Sequence, residues 1–119
     1  MPKIPVTAVF DIGKTNKKFF LFDQNLSEVY QSYTRLEPVP DEDGFPSEPV
    51  LPLRAWMLDT FHATLNSTEF EITRLNISGH GASFVHTNLE GEPVAPLYDY
   101  LKPFPEELLE RFYSENGGK

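Results

Sequence analysis

The apolar positions fall into short runs with distinct periods. Val6 to Ile12 is nearly continuous and reads as a strand covered on both faces. Gly13-Lys14-Thr15-Asn16 is turn-like, because Gly and Asn tolerate unusual backbone angles. Lys17 to Phe22 (KKFFLF) is aromatic-rich and strand-like, Asp23-Gln24-Asn25 turns the chain, and Leu26 to Leu36 forms a third strand through Val29, Tyr30, Tyr33 and Thr34. These segments predict an antiparallel meander with two tight turns.

Residues 37–52 carry five prolines, each lacking the amide that a ladder needs, and so read as loop. The acidic cluster Asp41-Glu42-Asp43 within it reads as a solvated face, with a metal site as the minor reading. Leu53, Trp56, Met57, Phe61 and Leu65 lie on one stripe of an amphipathic helix over 53–65, with Pro52 in its first turn. The stripe is read as core packing rather than a cofactor contact. Phe70 to Ser78 is β-rich and is broken by Gly79-His80-Gly81. Ser83 to Leu89 is expected to resume as a strand, residues 93–103 form a proline-punctuated loop, and Glu106 to Tyr113 is a short helix after Pro105. The order β-β-β-α-β-β-loop-α suggests an α/β sandwich on a mixed sheet.

Composition narrows the chemistry. The chain has 119 residues, enough for one core, and a net charge of −8 with no basic tract, which disfavours nucleic acid as a partner. No cysteine is present, which excludes disulfides, thiolate metal sites and cysteine nucleophiles and fits a reducing cytoplasm. No apolar run approaches the ~18 residues of a membrane span, and the N-terminal run meets Asp11 too soon for a signal peptide.

The candidate chemistry centres on Phe10-Asp11-Ile12-Gly13-Lys14-Thr15-Asn16-Lys17-Lys18. Gly13-Lys14-Thr15 is not the end of a Walker A loop: the glycine required five positions earlier is Ala8, and a strand follows where a helix should. A strand–turn–strand can hold phosphate another way, through successive backbone amides in a tight turn. Thr15 adds a hydroxyl, and Lys14, Lys17 or Lys18 adds positive charge. Asp11 at the strand end suits Mg²⁺, which takes only one or two carboxylates. The alternative is a plain hairpin with an Asp at its mouth. His80 likewise reads either as a ligand contact or as an exposed turn residue, while His62 and His86 read as structural.

Asp11-x-Gly13-x-Thr15 in an N-terminal hairpin resembles the first phosphate motif of the actin/hexokinase/heat-shock ATPase superfamily. Ile77-Ser78-Gly79-His80-Gly81, followed by Leu89-Glu90-Gly91-Glu92-Pro93-Val94-Ala95-Pro96-Leu97-Tyr98-Asp99-Tyr100, is similar to FGGY-family carbohydrate kinases (the xylulokinase, rhamnulokinase and fuculokinase type). The resemblance runs from about Val6 to Asp99 and implies a ribonuclease H-like, actin/hexokinase-type mixed sheet with flanking helices. It also implies ATP and Mg²⁺ as cofactors and a small sugar, a ketose or deoxyketose, as substrate.

By the same resemblance, Asp11 is catalytic and organises Mg²⁺, directly or through water. Gly13, Lys14, Thr15, Asn16 and Lys18 hold the ATP phosphates, and His80, Gly81 and Asp99 contact the sugar. Tyr98-Asp99-Tyr100 and Gly79-His80-Gly81 depart from the family's usual Trp-Asn-Asp-Arg and Gln-Met-His-Gly text, which bears on the sugar's identity rather than on the family.

FGGY kinases are two-domain proteins several times longer than this chain. Residues 1–119 are therefore expected to be the N-terminal part of the first actin-like domain of a cytoplasmic kinase, possessing no second domain and inactive alone. The family's catalytic base is expected beyond residue 119. No nucleic acid or membrane partner is expected, and a homodimer is allowed. The rival expectation is a stand-alone, non-catalytic binding module that kept half of a kinase fold. A third keeps the superfamily in a cytoskeletal or chaperone role, against which the Gly79–Gly81 turn and the Asp99 segment speak.

Overall fold

The structure is a computed structural model that describes residues 2–118. In β1 (Ile4–Ile12), Val6, Ala8 and Phe10 alternate onto one buried face. β2 (Lys17–Phe22) pairs antiparallel with β1, Phe10 opposite Phe19 and Ala8 opposite Leu21, and β3 (Glu28–Thr34) pairs antiparallel with β2. The expected meander is therefore present. A second sheet module follows, β4 (Val39–Pro40) and β5 (Pro46–Glu48), and then α1 (Val50–Leu65) returns the chain to β6 (Phe70–Gly79), which lies parallel to β1. The main sheet thus runs β3-β2-β1-β6. This is the mixed α/β sheet anticipated from the order of elements in the sequence.

Trp56, Met57 and Phe61 of α1 pack on the buried face of Val6, Ala8, Phe10, Phe19, Leu21 and Phe70. Phe10 stacks obliquely on Phe19 at 4.8 Å and meets the edge of Trp56 at 5.7 Å, geometries that add to plain area burial. The helical stripe is core, as read from its spacing. Helix α1 begins at Val50 rather than Leu53, because Pro52 needs no amide donor in the first turn and the Leu53 amide donates to the Pro49 carbonyl at 3.0 Å. After the helix, the Ser67 hydroxyl accepts from the Glu69 and Phe70 amides and starts β6.

Four expectations are corrected. The 37–52 segment is not all loop: Pro40 on β4 faces Pro46 on β5 in a short ladder, where proline is tolerated because β4 is an edge strand and Pro46 is the first residue of its strand. The 93–103 segment contains β7 (Leu97–Tyr98), which pairs with β5 and makes the order β4-β5-β7. No strand spans 83–89; Thr87 makes one isolated bridge to Pro93, since the chain turns at Asn88 before a ladder can form. Strand propensity without a paired neighbour does not make a strand. Nor is the acidic cluster simply a solvated face. The Asp41 side chain is fully covered and bonds Lys102 Nζ at 2.6 Å, while Asp43 takes the same ammonium at 2.9 Å.

The covering of β1 on both faces is also only partly met, since Thr7, Val9 and Asp11, which point away from α1, are half-buried among the described residues. The helix α2 (Glu106–Glu115) follows β7, and its Leu108 and Phe112 stay exposed, so this amphipathic stripe meets no core among the described residues.

Three hairpin turns share one construction. Asp23, Asp41 and Asn88 each accept two amides, from positions i+2 and i+4, on one side-chain oxygen. In each the residue at i+3 is left-handed: Leu26, Gly44 and Gly91, with φ of 62°, 80° and 80°. This is the three-residue loop in which a type I turn is followed by a bulge.

Candidate functional site

The 13–16 turn joins β1 to β2 at the surface, at the end of the sheet where β6 also finishes. The Gly13 amide donates to the Asn16 carbonyl at 3.0 Å, and a side chain at Gly13 would bring its Cβ within 2.8 Å of that oxygen. Glycine is required there by close approach. The amides of Lys14, Thr15 and Asn16 find no acceptor among the described residues, so three successive donors remain free. Successive free amides in a tight turn are what an anion-binding concavity requires.

Asp11 and Lys18 stand opposite each other in the β1–β2 register, on the sheet face away from α1. Neither side chain has a hydrogen bond or ion pair among the described residues, and the same holds for the side chains of Thr15 and Asn16. Four of the polar side chains assigned by resemblance to the phosphate end are therefore unengaged.

Lys14 and Lys17 are engaged. Lys17 is only 1% exposed, and its Nζ donates to Gly13 O at 2.8 Å, Lys14 O at 2.8 Å and Glu48 Oε2 at 3.0 Å. An ammonium has three donors, so Lys17 has none left for a phosphate. The signal in the sequence was available: Lys17, Phe19 and Leu21 share one strand face, and a lysine on an apolar face needs a partner. Lys14 Nζ bonds Asp99 Oδ1 at 3.0 Å and sits 4.5 Å from the centre of the Tyr100 ring. The contribution of Tyr100 and Glu48 was not legible in spacing, because both arrive from distant segments.

The sugar-assigned residues gather around the same turn. The His80 amide donates to Ile12 O at 3.2 Å, and its ring lies 6.0 Å from Tyr100. Gly81 follows, exposed and open. Asp99 follows β7, and the Leu101 amide bonded to its Oδ1 at 2.8 Å holds the carboxyl below its usual range, with Lys14 acting the same way and partial burial opposing both. Asp99 lines two cavities. One, of about 270 Å³, is shared with Lys14, Thr15, Arg35 and Glu48. The other, of about 810 Å³, has Phe84, His86, Tyr98, Tyr100 and Phe104 in its walls.

A network on the β4–β5 side keeps the Asp99 segment in place. Lys102 lies 4.9 Å from the Tyr98 ring centre, and its ammonium is held above its usual range chiefly by Asp41 and then by Asp43. The Tyr98 hydroxyl donates to Glu42, which pushes the phenol above its ordinary value.

No family model matches the sequence, and no curated protein matches it. Solved structures do. A carbohydrate kinase from Novosphingobium aromaticivorans superposes with a TM-score of 0.81 at 23% identity over 96% of this chain and 23% of its own. A Plasmodium falciparum glycerol kinase with ADP gives 0.75 at 17% identity, over 97% of this chain and 24% of its own. A ligand-bound xylulose kinase from Lactobacillus acidophilus gives 0.62 at 19% identity over 79% of this chain. The chain therefore has the α/β fold of the matching part of these kinases. The chain spans about a quarter of the length of the first two.

The residues present fit a divalent cation to the extent that one unpaired carboxylate, Asp11, stands at the end of β1, two positions before the turn whose 14–16 amides are free; no group of three metal-ligating side chains exists among the described residues. Mg²⁺ commonly takes one or two carboxylates, leaving its other positions to water and phosphate oxygens. No helix among the described residues is long and apolar enough to cross a membrane.

Proposed function

We propose that this chain supplies the first phosphate-binding hairpin and part of the sugar site of a kinase that transfers the γ-phosphate of ATP to a hydroxyl of a small sugar, a ketose or deoxyketose. Residues 1–119 are then part of the first actin-like domain of a two-domain cytoplasmic parent and inactive on their own. The observation that carries this reading is the turn itself: free amides at 14–16 beside an unpaired Asp11 and Lys18, on a fold shared with carbohydrate kinases.

In the reaction the sugar oxygen forms a bond to the γ-phosphorus, the bond to the bridging oxygen breaks, and ADP leaves with the electron pair. The sugar's proton passes to a base in the remainder of the parent. Such transfer depends mainly on positioning and charge stabilisation. The amides of Lys14, Thr15 and Asn16, with Gly13 permitting the turn, hold phosphate oxygens, and Lys18 balances their charge. Mg²⁺, held in part by Asp11, would supply further charge neutralisation. Asp99 and His80, with Gly81 leaving room, receive sugar hydroxyls beside the aromatic wall of Tyr98 and Tyr100.

The test is a sugar panel on the parent protein with ATP consumption as the readout, together with Asp11→Ala. The reading expects sugar-dependent ATP use that falls by orders of magnitude in the variant. A parent that consumes no ATP with any sugar ends the kinase assignment, and near-normal turnover in Asp11→Ala removes Asp11 from the site.

A further inference from the structure

Lys17 lies on the apolar face of β2, buried with Phe19 and Leu21, yet its three donors all go to specific acceptors, two of them carbonyls of the 13–16 turn. In a trans peptide the carbonyl and the following amide point in opposite directions. Drawing Gly13 O inward therefore turns the Lys14 amide outward, and drawing Lys14 O inward does the same to the Thr15 amide. Glu48, from β5, balances the ammonium at 3.0 Å with its own side chain 14% exposed.

We infer that Lys17 and Glu48 form a positioning clamp that presets the Lys14 and Thr15 amides toward an oxyanion. The inference rests on the phosphate reading of the turn and assigns Lys17 a role different from direct phosphate contact. Donors fixed before the anion arrives need no reorganisation on binding, which is why such sites are effective. Among the described residues no other hydrogen bond reaches the carbonyls or amides of those two peptide planes: the Lys14 and Thr15 amides are free, and the one backbone–backbone bond within the turn runs from Gly13 N to Asn16 O. A buried ammonium that lost Glu48 would be drawn toward water, releasing both carbonyls.

The experiment uses the 119-residue chain, labelled for NMR, and inorganic pyrophosphate with Mg²⁺. Residual dipolar couplings report the directions of the Lys14 and Thr15 N–H bonds, and amide shifts report binding. Lys17→Met and Glu48→Ala are compared with the parent chain. Both variants should change the couplings of Lys14 and Thr15 while those of Ala8 and Leu21 stay put, and should weaken pyrophosphate about tenfold, which is about 1.4 kcal/mol. If Lys17→Met does not fold, Glu48→Ala, on a more exposed side chain, carries the same comparison. Unchanged couplings at Lys14 and Thr15 in a folded variant overturn the clamp, as does undiminished pyrophosphate affinity. If the couplings respond but the unaltered chain binds no pyrophosphate, the clamp stands and the phosphate reading fails.

Discussion

Replacing Gly13 by alanine puts the turn under a defined stress. The added Cβ would sit 2.8 Å from the Asn16 carbonyl oxygen, whereas ordinary contacts begin at 3.4 Å. That oxygen also accepts the Gly13 amide at 3.0 Å, so backing away by about 0.6 Å stretches the bond out of hydrogen-bonding range. The lost bond costs about 1 kcal/mol and the residual crowding about 1–2 kcal/mol. Alanine returns about 0.4–1 kcal/mol by restricting the unfolded chain. The net expectation is a loss of about 1–2.6 kcal/mol, lowering Tm by about 4–10 °C for a domain of this size. Urea and thermal unfolding followed by circular dichroism measure it, with pyrophosphate titration beside them. A Gly13→Ala protein as stable as the original, with intact pyrophosphate binding, would refute the argument that close approach fixes this glycine.

Leu26→Gly should stabilise the chain by about 0.5 kcal/mol, since relief of a left-handed leucine, about 1 kcal/mol, outweighs the added freedom of glycine. Leu26 is 79% exposed and occupies the position held by Gly44 and Gly91 in the matching turns, so little packing is lost; a lower urea midpoint would contradict this. Acid unfolding should set in below pH 3.8, the ordinary value of an Asp carboxyl, because Asp41 and Asp99 are both held lower in the folded chain. Their contribution is complete above the unfolded value and disappears as pH falls through the folded one, where the unfolded state has already bound the protons. Lys102 acts oppositely, its contribution being lost only as pH rises past its ordinary 10.5. Urea midpoints across pH 2–7 for the original chain and Asp41→Asn check this, and an unaltered acid limb in the variant would remove Asp41 from the account.

The strands and helices that build the main sheet were legible in the sequence. Val6 to Ile12, Lys17 to Phe22, the third strand, the Trp56–Phe61 stripe and Phe70 to Ser78 each carry their period locally, and periodicity is set by which face must be buried. The turn signals at Gly13–Asn16 and Asp23–Asn25 were equally local. Residues 83–89 show the limit of that information. Their composition favours a strand, but a strand exists only when another offers a ladder, and Asn88 turns the chain first. β5 and β7 show the converse, since two proline-flanked segments pair because the fold brings them together.

At the candidate site, the sequence by itself determined which groups were present: Asp11, the glycine turn, the lysines, His80 and Asp99. Only the tertiary structure decided which of those groups were free. It left Asp11 and Lys18 unpaired, spent every donor of Lys17 on the turn and Glu48, and tied Lys14 to Asp99 across 85 positions of chain. The physical reason is that a charge's role depends on what lies within about 3 Å of it, as the strong hydrogen bonds do, and that neighbour is chosen by packing rather than by sequence distance.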